Sequence, residues 1–351
     1  LHAHLYGGGI PKSNIDDLGE FWSIFAQTKT KIFTPNGSLY LPNFAPSELK
    51  ATIQVSSEYA KFESEILSHF NNWHDENDLK SIKQKDHPKE LIKTYGESLL
   101  KHFKETKLVS DYDIYQVFMD YVADTLSDDV YAIAQNGWLT ARILTKLEKG
   151  DKQTPNLILG SGRNTKKFIS EIIPPALVAK RYFSQILARI SLLETQISKK
   201  QDELDELGED ELSNAYDDKD KITLKSLKEA IKQTSDKNEQ EIYNKALQIL
   251  TKKKELESTL KAATGELNQK VFDKFKTLDE NEIKTLVVDG KWLSELKEQI
   301  LSTVERAVQE RITRISTLAS RYDKTLDELT ARTNDLSLRV KTHLEAMDKA
   351  R

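Results

Sequence analysis

The chain has 351 residues, a formal net charge of −4 and no cysteine. The absence of cysteine excludes disulfide bonds and thiolate metal sites and fits a reducing cytoplasm, and no apolar run is long enough for a membrane span. Hydrophobic residues make up 38% and charged residues 31%, a balance that indicates elongated helices with a large solvated surface, and the net charge gives no global attraction to nucleic acid.

We predict a helical domain in residues 1–150. Its helices are indicated by apolar residues at three- and four-residue steps and by capping residues or prolines at their starts. The predicted helices are one beginning near Ser13, one from Ser47 to about Lys83 with a bend near Val55, one beginning at Pro88, and an aromatic core helix over residues 112–121.

Within this domain, one segment has the pattern of a β-hairpin. Apolar runs at residues 130–133 and 138–143 flank an Asn136-Gly137 pair, which is typical of a tight turn between two strands. Residues 157–159 are predicted as a third short strand. The surrounding charged and glycine-rich residues 147–166 indicate a loop or a domain boundary.

Residues 151–275 predict a long helical hairpin. One helix is expected from Pro175 to Leu207, a second over residues 239–272, and a short helix near 224–231 between them. Because the two long helices flank a loop, antiparallel pairing is the economical arrangement. Their predicted seams are Phe183, Ile186, Ile190, Leu193, Ile197, Lys200, Leu204 and Leu207 on the first helix, and Ile249, Leu256, Leu260, Ala263 and Leu267 on the second.

Residues 276–351 predict a C-terminal helical hairpin, with a turn at Asp289-Gly290, a helix over 291–321 and a heptad helix over 324–349. The sequence therefore predicts a mainly α fold: a helical domain with a small β-hairpin, followed by long antiparallel coiled-coil helical hairpins. The apolar positions of the heptad helix are Leu326, Leu329, Thr333, Leu336, Val340, His343 and Met347.

The heptad helix is the predicted partner-binding surface. Leu329, Leu336 and Val340 lie on one stripe, and Arg332 and Arg339 flank it at positions that form interhelical ion pairs. Direct contact of these arginines with DNA phosphate is the alternative. Interleaved acidic residues dilute any positive field, so partner-helix contact is the favoured interpretation.

Two patterns indicate chemistry only weakly. Gly160 and Gly162 follow a short strand, as in nucleotide-binding loops, but the third glycine and a later acidic residue are missing. His2 and His4 lie near a glycine-rich turn, but metal binding needs further ligands that the spacing does not supply. We therefore predict no catalytic, cofactor-binding or metal residue in this chain.

Several segments spread over almost the whole chain form a further pattern. They are residues 2–16 (HAHLYGGGIPKSNID), 112–124 (YDIYQVFMDYVAD), 128–133 (DDVYAI) with Gly137-Trp138, 173–177 (IPPAL) with 181–183 (RYF), and 284–293 (KTLVVDGKWL). The chain resembles, in these segments, the C-terminal half of the M (modification) subunit of type I restriction-modification systems. It departs from the family pattern by one extra glycine in the first segment and by Asn14 in place of an acidic residue.

The resemblance implies a role in assembly. Members of the family carry, upstream, a domain that binds S-adenosylmethionine and an Asn-Pro-Pro-aromatic motif that methylates adenine N6, and neither occurs in this sequence. No catalytic residue of the family transfers to this chain, which is expected to be inactive alone and, because it starts with Leu1, to begin inside a longer protein. The resemblance implies docking on the specificity subunit, with the restriction subunit as a further partner and DNA held through the complex.

Two other functions remain open from the sequence. One is a coiled-coil scaffold with no link to DNA, since heptads hold helices together in many proteins. The other is a small enzyme that uses the loop containing Gly160 and Gly162.

Overall fold

The structure, a computed structural model, is mainly α-helical with two small antiparallel sheets, which confirms the predicted fold class. The chain forms two compact units: one contains the described residues up to Ala134 and those from Trp292 onward, and the other contains the described residues from Gln135 to Lys291. The residues that the structure describes are 9–148, 150–208, 211–212, 215–216, 221–322 and 326–349.

The N-terminal part of the first unit consists of short helices, longer helices and a three-stranded antiparallel sheet of order β1-β3-β2. Its strands are β1 (Ile10–Pro11), β2 (Phe33–Asn36) and β3 (Leu39–Pro42). Its helices are α1 (Lys12–Asp16), α2 (Gly19–Ile24), α3 (Ala26–Ile32), α4 (Leu49–Gln54), α5 (Ser57–Glu76), α6 (Pro88–Phe103), α7 (Asp111–Tyr121) and α8 (Ser127–Asn136), with a π-helical segment at Val122–Leu126.

Most of these helices agree with the sequence predictions. The bend predicted near Val55 is the break between α4 and α5, Pro88 is the first residue of α6, and the aromatic stretch forms α7. The helix predicted near Ser13 is instead divided into α1, α2 and α3. The breaks let the indole of Trp22 donate a hydrogen bond to the Ile15 carbonyl (2.7 Å).

The predicted hairpin at residues 130–143 is wrong. Residues up to Asn136 belong to α8, and Trp138–Arg142 form a 3₁₀-helix. Val130, Ile133 and Ala134 are buried on one helical face. Gly137 has a φ of +80°, a conformation that ends helices as readily as it makes hairpin turns. The Asn-Gly pair therefore marks the end of a helix.

The second unit contains a small sheet and the long helical hairpin. The sheet has the order β4-β6-β5 and is antiparallel, so the strand predicted at residues 157–159 is confirmed. The elements are β4 (Thr145–Leu147), β5 (Leu157–Leu159), β6 (Lys166–Ile169), α9 (Pro175–Tyr182), α10 (Ser184–Asp205), α11 (Leu224–Gln233), α12 (Lys237–Thr277) and α13 (Glu280–Lys284).

The antiparallel pairing of the two long helices is confirmed. Near the end of α10, Gln201 accepts a hydrogen bond from Lys253, in the first half of α12 (2.6 Å). In α9, Tyr182 lies beneath the ammonium of Lys274, near the end of α12 (4.4 Å to the ring centroid). Every residue of the two predicted seams is buried or half-buried. The predicted first helix, however, is broken at Phe183.

The last elements are a π-helical segment at Thr285–Trp292 and the helices α14 (Leu293–Arg321) and α15 (Leu326–Lys349). The turn predicted at Asp289-Gly290 is wrong, because both residues lie inside the π-helical segment. No described helix is long and apolar enough to cross a membrane. The residues of α14 that are buried along one face are Leu296, Ile300, Val304, Val308, Ile312, Ile315, Leu318 and Ala319.

Helices α6 and α7 approach closely because Gly96 has no side chain. A Cβ at this position would lie 2.9 Å from Tyr115 Cε2 and 3.2 Å from Phe118 Cε1, closer than packed carbon atoms normally come. Gly265 in α12 has no neighbour within 4 Å of such a Cβ. The two helical glycines therefore differ in their packing but share the same helix propensity.

We predict that Gly96→Ala destabilises the protein by about 1–2 kcal/mol, because overpacking outweighs the gain in helix propensity. Gly265→Ala is the matched control and should stabilise the protein by about 0.5–1 kcal/mol. Chemical denaturation of the two variants measures both effects. Equal stabilisation by both substitutions would contradict the close packing of α6 on α7.

Helix α3 has no side-chain cap of its own, and Glu58 from α5 serves instead. The Glu58 carboxylate accepts hydrogen bonds from the backbone amides of Gln27 (2.8 Å) and Thr28 (2.9 Å) and from the Thr28 hydroxyl (2.6 Å). Burial raises the pKa of Glu58, but these hydrogen bonds and the charge of Lys31 outweigh it, so that the pKa lies below its ordinary value.

We predict that Glu58→Gln lowers the free energy of unfolding at pH 7 by about 1 kcal/mol, the usual effect of losing a helix cap. Because the folded-state pKa is lowered, the contribution of Glu58 is complete above about pH 4.3 and is lost as the pH falls through the lowered pKa. The denaturation curves of the parent protein and of Glu58→Gln should therefore differ at pH 7 and coincide at pH 3. Glu65→Gln, at an exposed position of α5, should change little at either pH.

Candidate partner-binding surface

Helix α15 presents an apolar stripe to solvent. Leu336, Val340 and Met347 are separated by steps of four and seven residues, so they lie on one face of the helix. Their side chains are 49%, 58% and 69% exposed. The stripe extends along the axis for about 16 Å at the standard rise of a helix. All the described side chains of residues 330–344 are exposed as well.

The structure brings together most of the residues predicted for this surface. Leu336 and Val340 are on the stripe, and Arg332 and Arg339 are exposed along one edge of it. Leu329 belongs to α15, but its side chain lies outside the described residues. The role of these five residues in binding a partner stays a prediction.

One residue of the surface was missed by the heptad pattern. Leu344 is 58% exposed and follows Val340 by one helical turn, so it widens the stripe on the edge opposite the arginines. The signal was present in the sequence as an apolar residue at a four-residue step. Leu338 is also exposed (64%), but two residues from Leu336 it lies on the other side of the helix.

The other long apolar stripes are covered within their own units. The buried face of α14 packs against α4, α5 and α7, and the seams of α10 and α12 pack against each other. In the part of the chain that the structure describes, α15 is thus the long helix whose apolar stripe has no covering element. Such an unpaired stripe is typical of a surface that binds another helix.

The glycine loop after β5 is a tight connection between strands. Gly160 and Gly162 have φ angles of +76° and +62°, and a Cβ at Gly160 would lie 2.7 Å from the Asn164 carbonyl oxygen. The loop leads into β6, which pairs antiparallel with β5. A nucleotide-binding loop instead leads into a helix whose N-terminus faces the phosphates. The glycines here are therefore explained by the turn.

The described residues contain no group of three or more His, Asp or Glu side chains that could hold a metal ion. His2 and His4, the histidines considered from the sequence, lie outside the described residues.

An acidic cleft of about 580 Å³ lies between α7 and α14. Asp113 is already the capping-box partner of Ser110, and Asp120 accepts a hydrogen bond from Gln116 (2.7 Å). Among the hydroxyl groups that line it, that of Thr303 donates a hydrogen bond to the Gln299 carbonyl (3.0 Å). The charged residues that line it are Asp113, Asp120, Glu295, Glu298 and Arg306.

A buried polar cluster lies beside this cleft. The indole Nε1 of Trp292 donates a hydrogen bond to Asp129 Oδ2 (2.7 Å), and both side chains are almost completely buried. Burial raises the pKa of the neighbouring Tyr121, and the carboxylates of Glu295 and Asp129 raise it further. A tyrosine with a raised pKa stays protonated at neutral pH.

No protein-family model, curated protein or solved structure matches the chain. The function is therefore inferred from the surface of α15 and from the sequence resemblance.

We predict that Leu336→Asp leaves the stability of the isolated protein within about 1 kcal/mol of the parent, because the side chain is half-exposed and only helix propensity changes. Ile300→Asp, on the buried face of α14, is the contrasting variant and should destabilise by more than about 3 kcal/mol. Thermal unfolding of both variants checks the difference. A large loss of stability in Leu336→Asp would mean that the stripe is covered within this chain.

Proposed function

We propose that this chain is the C-terminal portion of the M subunit of a type I restriction-modification system, and that α15 docks it on the specificity subunit. The observation that carries the proposal is the solvent-exposed apolar stripe of Leu336, Val340, Leu344 and Met347. Burying such side chains stabilises a complex by roughly 1.5–3 kcal/mol each. An assembly role therefore explains a surface that costs free energy to expose.

In this proposal, the chain positions other parts of a cytoplasmic complex and performs no chemistry itself. The family resemblance assigns S-adenosylmethionine binding and adenine N6 methylation to a domain upstream of these residues. The residues described here would hold that domain to the specificity subunit, which selects the DNA sequence. DNA, and the restriction subunit where present, would be engaged through the assembled complex.

A coiled-coil scaffold without a link to DNA would use the same stripe. The identity of the protein that binds α15 therefore distinguishes the two functions. The coding sequence directly upstream of Leu1 separates them: an Asn-Pro-Pro-aromatic motif there supports the methyltransferase subunit. The small-enzyme alternative has less support, because Gly160 and Gly162 form a turn between antiparallel strands.

The test is co-purification of the intact protein with a co-expressed specificity subunit. Two buried side chains contribute about 3 kcal/mol together, so Leu336→Asp combined with Val340→Asp should weaken assembly by about a hundredfold or more. Site-specific adenine methylation by the complex should fall in parallel. Leu338→Asp is the matched control, since Leu338 is also an exposed apolar residue of α15 but lies off the stripe.

Assembly that withstands the double substitution would exclude α15 as the docking surface. Equal losses in the double variant and in Leu338→Asp would also contradict the proposal, because they would not depend on the face of the helix. Circular dichroism of each variant verifies that α15 and the rest of the fold are retained.

A further inference from the structure

The two edges of the α15 stripe differ in charge. One edge carries Arg332 and Arg339, which are seven residues apart and therefore lie above one another along the helix. The opposite edge carries Thr330, Ser337 and Leu344, which have no charge. All five side chains are exposed. A partner that covers the stripe thus meets positive charge on one side and a neutral, partly apolar border on the other.

Among the side chains that the structure describes, which do not include those of residues 323–329, neither arginine forms an ion pair. Asp335 follows Arg332 by three residues and precedes Arg339 by four, so it lies beside both on the helix surface, but it forms no ion pair with either of these described side chains. Arginine at the flank of a helix seam usually binds a carboxylate on the facing helix. The two guanidinium groups are therefore positioned to contact a partner.

A second copy of α15 does not supply the complementary charge. In an antiparallel pair, the edge that carries Arg332 and Arg339 would face the same edge of the other copy, so arginines would oppose arginines. In a parallel pair, it would face the edge of Ser337 and Leu344, which offers no carboxylate. Juxtaposed like charges oppose association, so the antiparallel pair of two α15 helices is disfavoured. The parallel pair gains no ion pair from the arginines.

We infer that the partner of α15 is a helix with acidic residues along the edge that faces Arg332 and Arg339, spaced by one heptad. This inference rests on the proposed docking of α15 on the specificity subunit and adds the chemistry of the docking site. One heptad is about 10 Å of helix, so two carboxylates at that spacing match the two arginines together. Because only one edge is charged, the pairing also sets the orientation and register of the partner helix.

The experiment measures the affinity of the intact protein for the specificity subunit after Arg332→Glu and Arg339→Glu are combined. We expect affinity to fall at least about tenfold at 0.1 M salt, and the difference to shrink at 1 M salt, where the Debye length is only about 3 Å. Lys341→Glu is the control, since Lys341 is exposed on the far side of α15. It should leave affinity within about twofold.

Charge reversal on the partner completes the test. Replacing the facing acidic residues of the specificity subunit by lysine should restore binding of the double glutamate variant and weaken binding of the parent. Unchanged or tighter binding by the double variant would overturn the inference, as would an equal effect of Lys341→Glu.

The outcome is separable from that of the proposed function. If Leu336→Asp with Val340→Asp abolishes assembly while charge reversal has no effect, the acidic partner edge is wrong and docking on α15 stands. If neither change has an effect, the proposed function fails as well.

Discussion

A buried hydrogen bond joins two distant parts of the first unit. The Trp292 indole donates to the Asp129 carboxylate at 2.7 Å, and both groups are almost fully buried. A buried carboxylate is costly unless it accepts hydrogen bonds, so the start of α14 is held where this bond can form. From there, α14 packs its apolar face on α4, α5 and α7. The N-terminal helices therefore depend on residues far along the chain for their core.

The long helices differ in whether another element of the chain covers their apolar stripe. The stripes of α10 and α12 cover each other, and the stripe of α14 is covered by the N-terminal helices. In the described part of the chain, α15 has a comparable stripe that remains exposed. Arg332 and Arg339 lie along one edge of this stripe, and their charge favours one orientation of a bound helix over the other.

The sequence predicted correctly those helices whose start is marked by one residue or whose buried face follows a regular spacing of apolar residues. Pro88 marks the start of α6 because its missing amide is tolerated there, and the seams of α10 and α12 follow from their periods. The errors occurred where one local signal serves two structures. Gly137 ends a helix where a hairpin was predicted, and Gly290 lies in a π-helical segment where a turn was predicted.

The sequence by itself determined that α15 is a helix, that Leu336 and Val340 share its stripe, and that Arg332 and Arg339 border it, because helical periodicity places these residues on known faces. Only the tertiary structure decided which stripes are covered. The stripe of α14 resembles that of α15 in period, yet its burial depends on packing against α4, α5 and α7, which lie more than 150 residues earlier by the bounds of these helices. Burial arises from such long-range contacts, which a local pattern does not encode.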